Sequence, residues 1–587
     1  MAAHDTFAAI EQMEVARDLG DHDPDHAQHL AALYDGLGEP EMAEAVLAAA
    51  VKPDSKPALL LAHSQALLKL GLFAEASEAV HPLIAQWSTL ANETRQYVAR
   101  SALLAGDADA AGQILKLQPE TSDGTDPEWP AIRGLQALLE GQARKAVDAF
   151  ASAVKRNPSD AWNATLLGRA CQEAGDSRGA LNAWGPAVQP SDAPPEALIG
   201  AATLLAQANR LDEADQLLTR VANEDRRAPT YWQAQSLVAG RRKQFTAEQA
   251  ALGYMAYNSG DPWRAEAIWQ ASFPKAKEAD ARELCVAIFN SAFRREDPRT
   301  ALRYAGMAVS RRPKDPYLLK SLAEFQVAQN LLAEALATAQ RFQAVAPPNQ
   351  QAQAAELLSR IALDSGKPDL LQQSAQRNRD LAPNDPLPLL HLAEWQYSQG
   401  RSLENLERTL KLYQQASAVA PDSAEAAARA GIVLNEMKRV PEALSALLHA
   451  LTLAPRVLEG TPNALLAQLE ARQGLSRESA FETRQYMRLR ALKDAWPNQI
   501  KAMRQESPEP GLTAWKRLAQ TALDRHETWV ALCASRRATR LAPHDPASWR
   551  LLAAANKRFG WFFEALDAMR QADRLTHHTR QAGGDRS

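Results

Sequence analysis

At 587 residues the chain is too long to close on one compact core, so several domains or one array of repeated units is expected. A net charge of −4, from 66 basic and 70 acidic side chains, supplies no basic field and argues against nucleic-acid partners or attachment to acidic lipid. The three cysteines, Cys171, Cys285 and Cys533, are far apart and never form a CxxC pair, which fits a reducing, cytoplasmic setting better than a disulfide framework.

Residues 1–23 open with MAAHDTFAAIEQMEVARDLGD, which lacks both the basic n-region and the apolar stretch of roughly 7–15 residues that a secretory signal needs. No uncharged apolar run anywhere reaches the roughly 18 residues required to span a bilayer. Residues 5–19 pattern instead as a capping helix. The stretch that follows, GDHDPDHAQHL, interleaves His22, His26 and His29 with Asp21, Asp23 and Asp25. Helical spacing would let two of these histidines share a face and hold a metal. The simpler reading makes Asp23 a helix cap, puts Pro24 in the first turn and leaves the imidazoles in solvent, so no metal is assigned.

From residue 24 the chain repeats itself. LAPNDPLPLLHLAEWQYSQG at 381–400 returns as LAPHDPASWRLLAAANKRFG at 541–560, and aligning on this echo gives a unit of about 34 residues. Units start near 24, 57, 92, 127, 161 and 195 in a first block (24–228), and near 246, 282, 316, 352, 386, 424 and 460 in a second (246–493). Two more start near 512 and 546 in a third block (512–577). The eighth position is small in every unit except the one carrying Phe289, and the twentieth is Ala at 43, 76, 111, 146, 180, 214, 265, 301, 335, 443, 531 and 565. Small residues at fixed offsets mark places where two helices cross closely. Pro158, Pro313, Pro347, Pro383, Pro421, Pro455 and Pro543 end the second helix, and Asp315, Asp385 and Asp545 stand ready to cap the next.

Two gaps break the beat. Residues 229–245, PTYWQAQSLVAGRRKQF, predict one extra helix with a basic end, and 494–511, ending in SPEPG, predict a linker. RSLENLERTLKLY after residue 400 adds about four residues to a turn or second helix, and residues 578–587 are expected to be disordered.

The W-x2-L-G/A spacing, followed by Ala and then Pro at intervals of twelve, resembles the tetratricopeptide repeat (TPR) family over nearly the whole chain. The resemblance implies an all-α fold, a right-handed α-solenoid superhelix of about fifteen helical hairpins, each too small to bury its apolar seam alone. It also implies that helix A of each hairpin lines a concave surface, chiefly through positions two, five, nine and twelve. Across the second block those columns read Tyr254, Tyr257, Asn290, Phe293, Tyr317, Lys320, Glu324, Arg360 and Tyr397. Of these, Tyr254, Tyr257, Asn290, Tyr317, Lys320 and Arg360 suit an extended peptide: rings for apolar side chains, an amide for its backbone, cations for carboxylates. The clamp by which some relatives hold chaperone C-termini is broken here at Gly253 and Val286.

No catalytic signature is present: no GxSxG, GxGxxG or GxxxxGK[ST], while HETWV at 526–530 has Val530 where a zincin needs its second His. The repeats also leave no segment of catalytic-domain size. The expectation is a non-enzymatic scaffold without cofactor that holds protein or peptide partners. The alternatives are an accessory subunit of a polysaccharide-synthesis or secretion machine, or a peptide-sensing regulator.

Overall fold

The computed structural model describes every residue except 1, 20–22, 53–54, 71, 107, 119–125, 224, 295–296, 505–510, 525–526 and 585–587. Among the described residues the regular elements are thirty-two α-helices and a few short 3-10 turns, with no strand. Within each unit, most helices adjacent in the chain pack on one another, many of them through short reversing loops. This is an all-α solenoid of helical hairpins, the fold class that the family resemblance implied.

The small columns explain how the hairpins close. Every eighth-position residue described is buried, from Ala31 through Ala323 to Ala553, and the twentieth-position alanines from Ala43 to Ala565 are buried with them. Where the eighth residue is Gly, a large side chain opposes it sixteen residues on. A Cβ on Gly168 would lie 2.2 Å from the Trp184 ring, one on Gly253 1.9 Å from Trp269, and one on Gly134 2.7 Å from Phe150. Each indole also anchors itself in helix A. Trp184 Nε1 donates to the Thr165 carbonyl at 3.1 Å and Trp269 Nε1 to Ala250 at 3.2 Å. The exception follows the same rule in reverse. Phe289 takes the eighth position, and the opposing position holds Ala305, buried at 4% exposure, so large and small exchange sides and volume is conserved.

The helix starts use the expected chemistry. Asp23, Asp315 and Asp545 cap helices that begin at Pro24, Pro316 and Pro546, their carboxylates accepting from Asp25, Leu318 and Ser548 backbone N–H groups. Asp385 accepts from Leu387 N at 3.0 Å, one residue further from the helix start than expected, because Leu387–Ser398 begins after Pro386.

The chain divides into two compact units, each assembled from two stretches of sequence. The first comprises Met1–Val46 and Ala281–Gln505, the second Leu47–Asp280 and Glu506–Ser587. In the first, the N-terminal helix Ala2–Asp18 packs on Val440–Leu453 and Ser476–Arg504, as well as on its sequence neighbour Pro24–Gly36. In the second, the C-terminal helix Phe562–Gly584 reaches Glu128–Leu139.

Both interruptions of the repeat contain helix among the described residues. Residues 229–241 form the helix Pro229–Arg241, which is the hairpin partner of Phe245–Asn258, so the extra half-unit continues the stack. Its basic end is engaged: Arg242 pairs with Asp212 and Asp215 at 2.8 and 2.6 Å. The expected linker 494–511 is instead helix as far as Arg504, the end of the 29-residue helix Ser476–Arg504, and 505–510 lie outside the described residues. The tail expected to be disordered from 578 is likewise helical to Gly584, since Phe562–Gly584 runs past the last repeat, and 585–587 lie outside the described residues. The short insertion after residue 400 lengthens the second helix, Leu403–Val419, to 17 residues.

Candidate functional site

The A helices Pro316–Ala328, Gln351–Asp364, Leu387–Ser398 and Ala424–Glu436 of the first unit follow one another at the repeat spacing. Their apolar positions go into the hairpin seam, with Leu319, Leu358, Leu389 and Val433 at 2% exposure or less. The remaining positions carry polar side chains, and lateral bonds tie each helix to the next. Lys320 Nζ donates to Gln353 Oε1 at 3.2 Å, and Ser359 Oγ lies 2.7 Å from His391 Nδ1. Arg429 pairs with Glu394 at 2.6 Å, and Tyr397 O–H donates to Glu436 at 2.6 Å. Arg401 sits 3.5 Å from the Tyr397 ring centre and pairs with Glu436 at 3.0 Å.

Electrostatics differ along this ladder. At the Ala424–Glu436 end, burial pulls Arg429 down, but Glu394, Tyr413 and Glu425 outweigh it and hold the guanidinium above its ordinary pKa. In the middle, burial pushes the Glu356 carboxyl up, with Arg360 opposing, and burial together with Arg360 pulls the His391 imidazole down. At the Pro316 end, Tyr317 is 52% exposed. Arg360 is exposed and makes no hydrogen bond or ion pair to a described residue. The charges are internally matched at the Ala424–Glu436 end, while towards the Pro316 end Lys320 is engaged with Gln353 and Glu324 and Arg360 is exposed.

The residues singled out in the sequence fall in two units. Asn290, Tyr317, Lys320 and Arg360 belong to the first, where Asn290 is half-buried on Glu278–Arg294 and Lys320 also lies 3.8 Å from Glu324. Tyr254 and Tyr257 belong to the second. There Tyr254 stacks on Trp232 at 4.4 Å and meets Trp269 edge-on at 5.1 Å, while Tyr257 lies 5.7 Å from Trp529. The side chain of Phe293 is outside the described ones. His391 and Arg429 were not singled out because both sit at the sixth position of helix A, a column the family's groove does not use.

Of the histidine run, His22 lies outside the described residues, and no group of three metal-ligating side chains is present among those described. Cys171, Cys285 and Cys533 are buried and unbridged, with burial pushing the Cys171 and Cys285 thiols up. No helix among the described residues is long and apolar enough to cross a membrane.

No family model matches the chain. No curated protein matches it. Among solved structures 241 chains match. One is the crystal structure of the APC/C hetero-tetramer Cut9-Hcn1, which is 12% identical, covers 81% of this chain and 96% of that chain, and has a TM-score of 0.31. The repeat register rests on this chain's own packing.

Proposed function

We propose that the protein is a non-enzymatic scaffold that holds an extended, acidic segment of a partner protein along the A-helix face of the first unit. One observation carries the reading: Tyr317, Lys320 and Arg360 lie on consecutive A helices with an exposed ring and an exposed guanidinium between them. A carboxylate-bearing segment could take Arg360 at no cost in broken protein contacts, whereas binding at Arg429 would first have to displace Glu394 and Glu425. Asn290, on the preceding A helix, would pair with the segment's backbone. The stable hairpin stack is what makes such a surface useful, since a rigid face loses little entropy on binding.

The reading is tested with an array of extended acidic peptides and their amidated, uncharged counterparts. Wild-type protein should retain a subset of the acidic peptides. Lys320→Glu combined with Arg360→Glu should abolish retention without changing the melting temperature, each lost charge-assisted contact being worth about 1.5–3 kcal/mol. Retention that survives the double reversal, or that ignores peptide charge, would dismiss this surface as the binding face.

A further inference from the structure

The second unit contains a cavity of about 410 Å³ where the turn after Phe245–Asn258 meets the helix Thr528–Leu541. Gly260 makes the contact possible. Its φ of +83° is one that other residues rarely adopt, and a Cβ there would lie 2.8 Å from the Leu532 carbonyl oxygen. Arg536 Nε donates to the Ser259 carbonyl at 2.7 Å, and Arg540 pairs with Asp261 at 2.5 Å, so the turn is fastened at two points.

The lining is unbalanced. Arg264, Arg536 and Arg540 face one carboxylate, Asp261, which leaves three positive charges less one negative, or +2. Asp261 is already committed: it pairs with Arg540 and caps Pro262–Ser272 by accepting from Arg264 N at 3.3 Å. The two hydroxyls of the lining are satisfied as donors, Ser259 to the Met255 carbonyl and Thr539 to that of Arg536. Beyond its Nε, the Arg536 guanidinium makes no hydrogen bond to a described residue. Burial, with Arg540 beside it, pulls Arg536 down to about 10. Arg536 is half-buried and shares the single carboxylate Asp261 with Arg540, so an anion in the cavity would add the missing counter-charge.

We propose that this cavity binds a phosphate monoester, the dianionic head held by Arg536, Arg264 and Arg540 and the organic substituent lying against Trp549. The +2 lining matches a dianion, whereas a carboxylate would leave one cation unmatched. Guanidinium forks suit phosphate oxygens geometrically. Trp549 is fixed for the role, its Nε1 donating to the Pro543 carbonyl at 2.9 Å, with Met255 and Pro543 completing an apolar wall. The site lies in the other unit from the peptide face and stands or falls independently of it.

The test is calorimetric titration of the full chain with phenyl phosphate, inorganic phosphate and benzoate. Phenyl phosphate should saturate one site, with inorganic phosphate and benzoate each about tenfold weaker. Arg536→Gln should weaken phenyl phosphate by about tenfold or more. Because Arg536 is half-buried and also fastens the turn at Ser259, Arg264→Gln, at an exposed position, serves as the second variant. It should lose about three- to tenfold with an unchanged circular dichroism spectrum. Benzoate binding as tightly as phenyl phosphate would overturn the phosphate assignment, and inorganic phosphate binding equally well would overturn the role of Trp549. Wild-type affinity in Arg264→Gln, or no saturation by phenyl phosphate at millimolar concentration, would overturn the site.

Discussion

The N-terminal helix of the first unit and the C-terminal helix of the second both return to repeats far away in sequence, and opposite electrostatics seat them. Ala2–Asp18 brings Glu11 to Glu470 and Glu482, three carboxyls at 7%, 4% and 0% exposure. Their neighbours are acidic or neutral: Glu478 adds to the repulsion, and Asn463 Nδ2 donates to Glu482 at 2.5 Å. Burial pushes all three up, Glu482 well above the carboxylate range and Glu470 to about 8. In Phe562–Gly584, by contrast, Arg570 reaches both oxygens of Glu173 at 2.7 Å, Glu173 also pairs with Arg169 at 2.7 Å, and Arg169 reaches Asp567 at 3.0 Å. Burial pushes Glu173 up, but the two arginines outweigh it and keep the carboxyl below its ordinary value. A buried acid can be accommodated by a proton or by a counter-ion, and only the first makes the contact sensitive to pH near neutrality. The contrast is local to this network. Glu564, in the first turn of the same C-terminal helix, is also pushed up by burial beside Glu196, itself raised to about 7.

The largest expected effect breaks the balanced network. Arg570→Met removes a guanidinium whose side chain is 11% exposed and leaves Glu173, 17% exposed, with Arg169 alone. Uncompensated buried charge of this kind costs about 3–5 kcal/mol. Chemical denaturation should show that loss, and adding Glu173→Gln to the variant should recover part of it. A shift in midpoint worth less than about 0.5 kcal/mol would mean the network is ornamental, within the range typical of exposed pairs.

The proton-held cluster predicts an effect of opposite pH character. A carboxyl whose folded pKa lies above its unfolded value contributes stability that is fully present below the unfolded value, near 4.5. For Glu470 that contribution is lost as pH rises through about 8. Between pH 5 and 9 the seating of Ala2–Asp18 should therefore weaken by about 4 kcal/mol, seen as faster amide exchange in that helix at matched intrinsic rate. Glu470→Gln, which copies the neutral acid, should flatten the dependence. Glu39 of the same unit gives an internal control. Burial pushes it up, but Arg456 and Arg488 outweigh this and hold it low, so its contribution persists through the alkaline range and is lost only on acidification. An N-terminal helix equally protected at both pH values would refute the protonated cluster.

Hairpin closure could be read from the sequence because it is local. Gly168 and Trp184 sit sixteen residues apart on adjacent helices, and the same size match returns at Gly134/Phe150, Gly253/Trp269 and Gly431/Leu447. Even Phe289 has its compensation in the sequence, since Ala305 stands where the glycine-bearing copies carry Phe, Trp or Leu. The destinations of the two terminal helices carry no such periodic mark. Glu11 meets Glu470 only because the intervening repeats bring them together, and nothing in EQMEVARD distinguishes an acid bound for a buried cluster from one on a solvated face. The same holds for the two proposed sites. Counting positions within one unit suffices to nominate Lys320 and Arg360, whereas the pairing of Arg536 with the turn at Ser259 joins residues 277 apart. The expected linker at 494–511 overlaps the helix Ser476–Arg504 for a related reason. Composition marks Ser-Pro-Glu-Pro-Gly as a break, but where the preceding helix stops is decided by its packing.

The smallest effect sharpens the comparison from the cation side. Lys557, on Pro546–Arg558 of the second unit, is a buried amine whose Nζ has no hydrogen-bond partner among the described residues and lies 3.6 Å from the Phe73 ring centre. Burial pulls its pKa down to about 7. A lowered lysine contributes stability that is fully present above its unfolded value near 10.5 and is lost as pH falls through about 7, the reverse of Glu470. Lys557→Met should relieve this cost while keeping a favourable contact, since a thioether packs well on an aromatic ring. The Phe73 face offsets part of the amine's desolvation through its attraction for the cation, which keeps the expected gain to about 1 kcal/mol at pH 6. That gain should shrink steadily as pH rises and vanish near pH 10.5, so the difference between variant and wild-type denaturation midpoints is the measurement that matters. A variant less stable than wild type at pH 6 would show that the ring's hold on the ammonium exceeds the cost of burying it, and that Lys557 belongs with the paired charges of the C-terminal network.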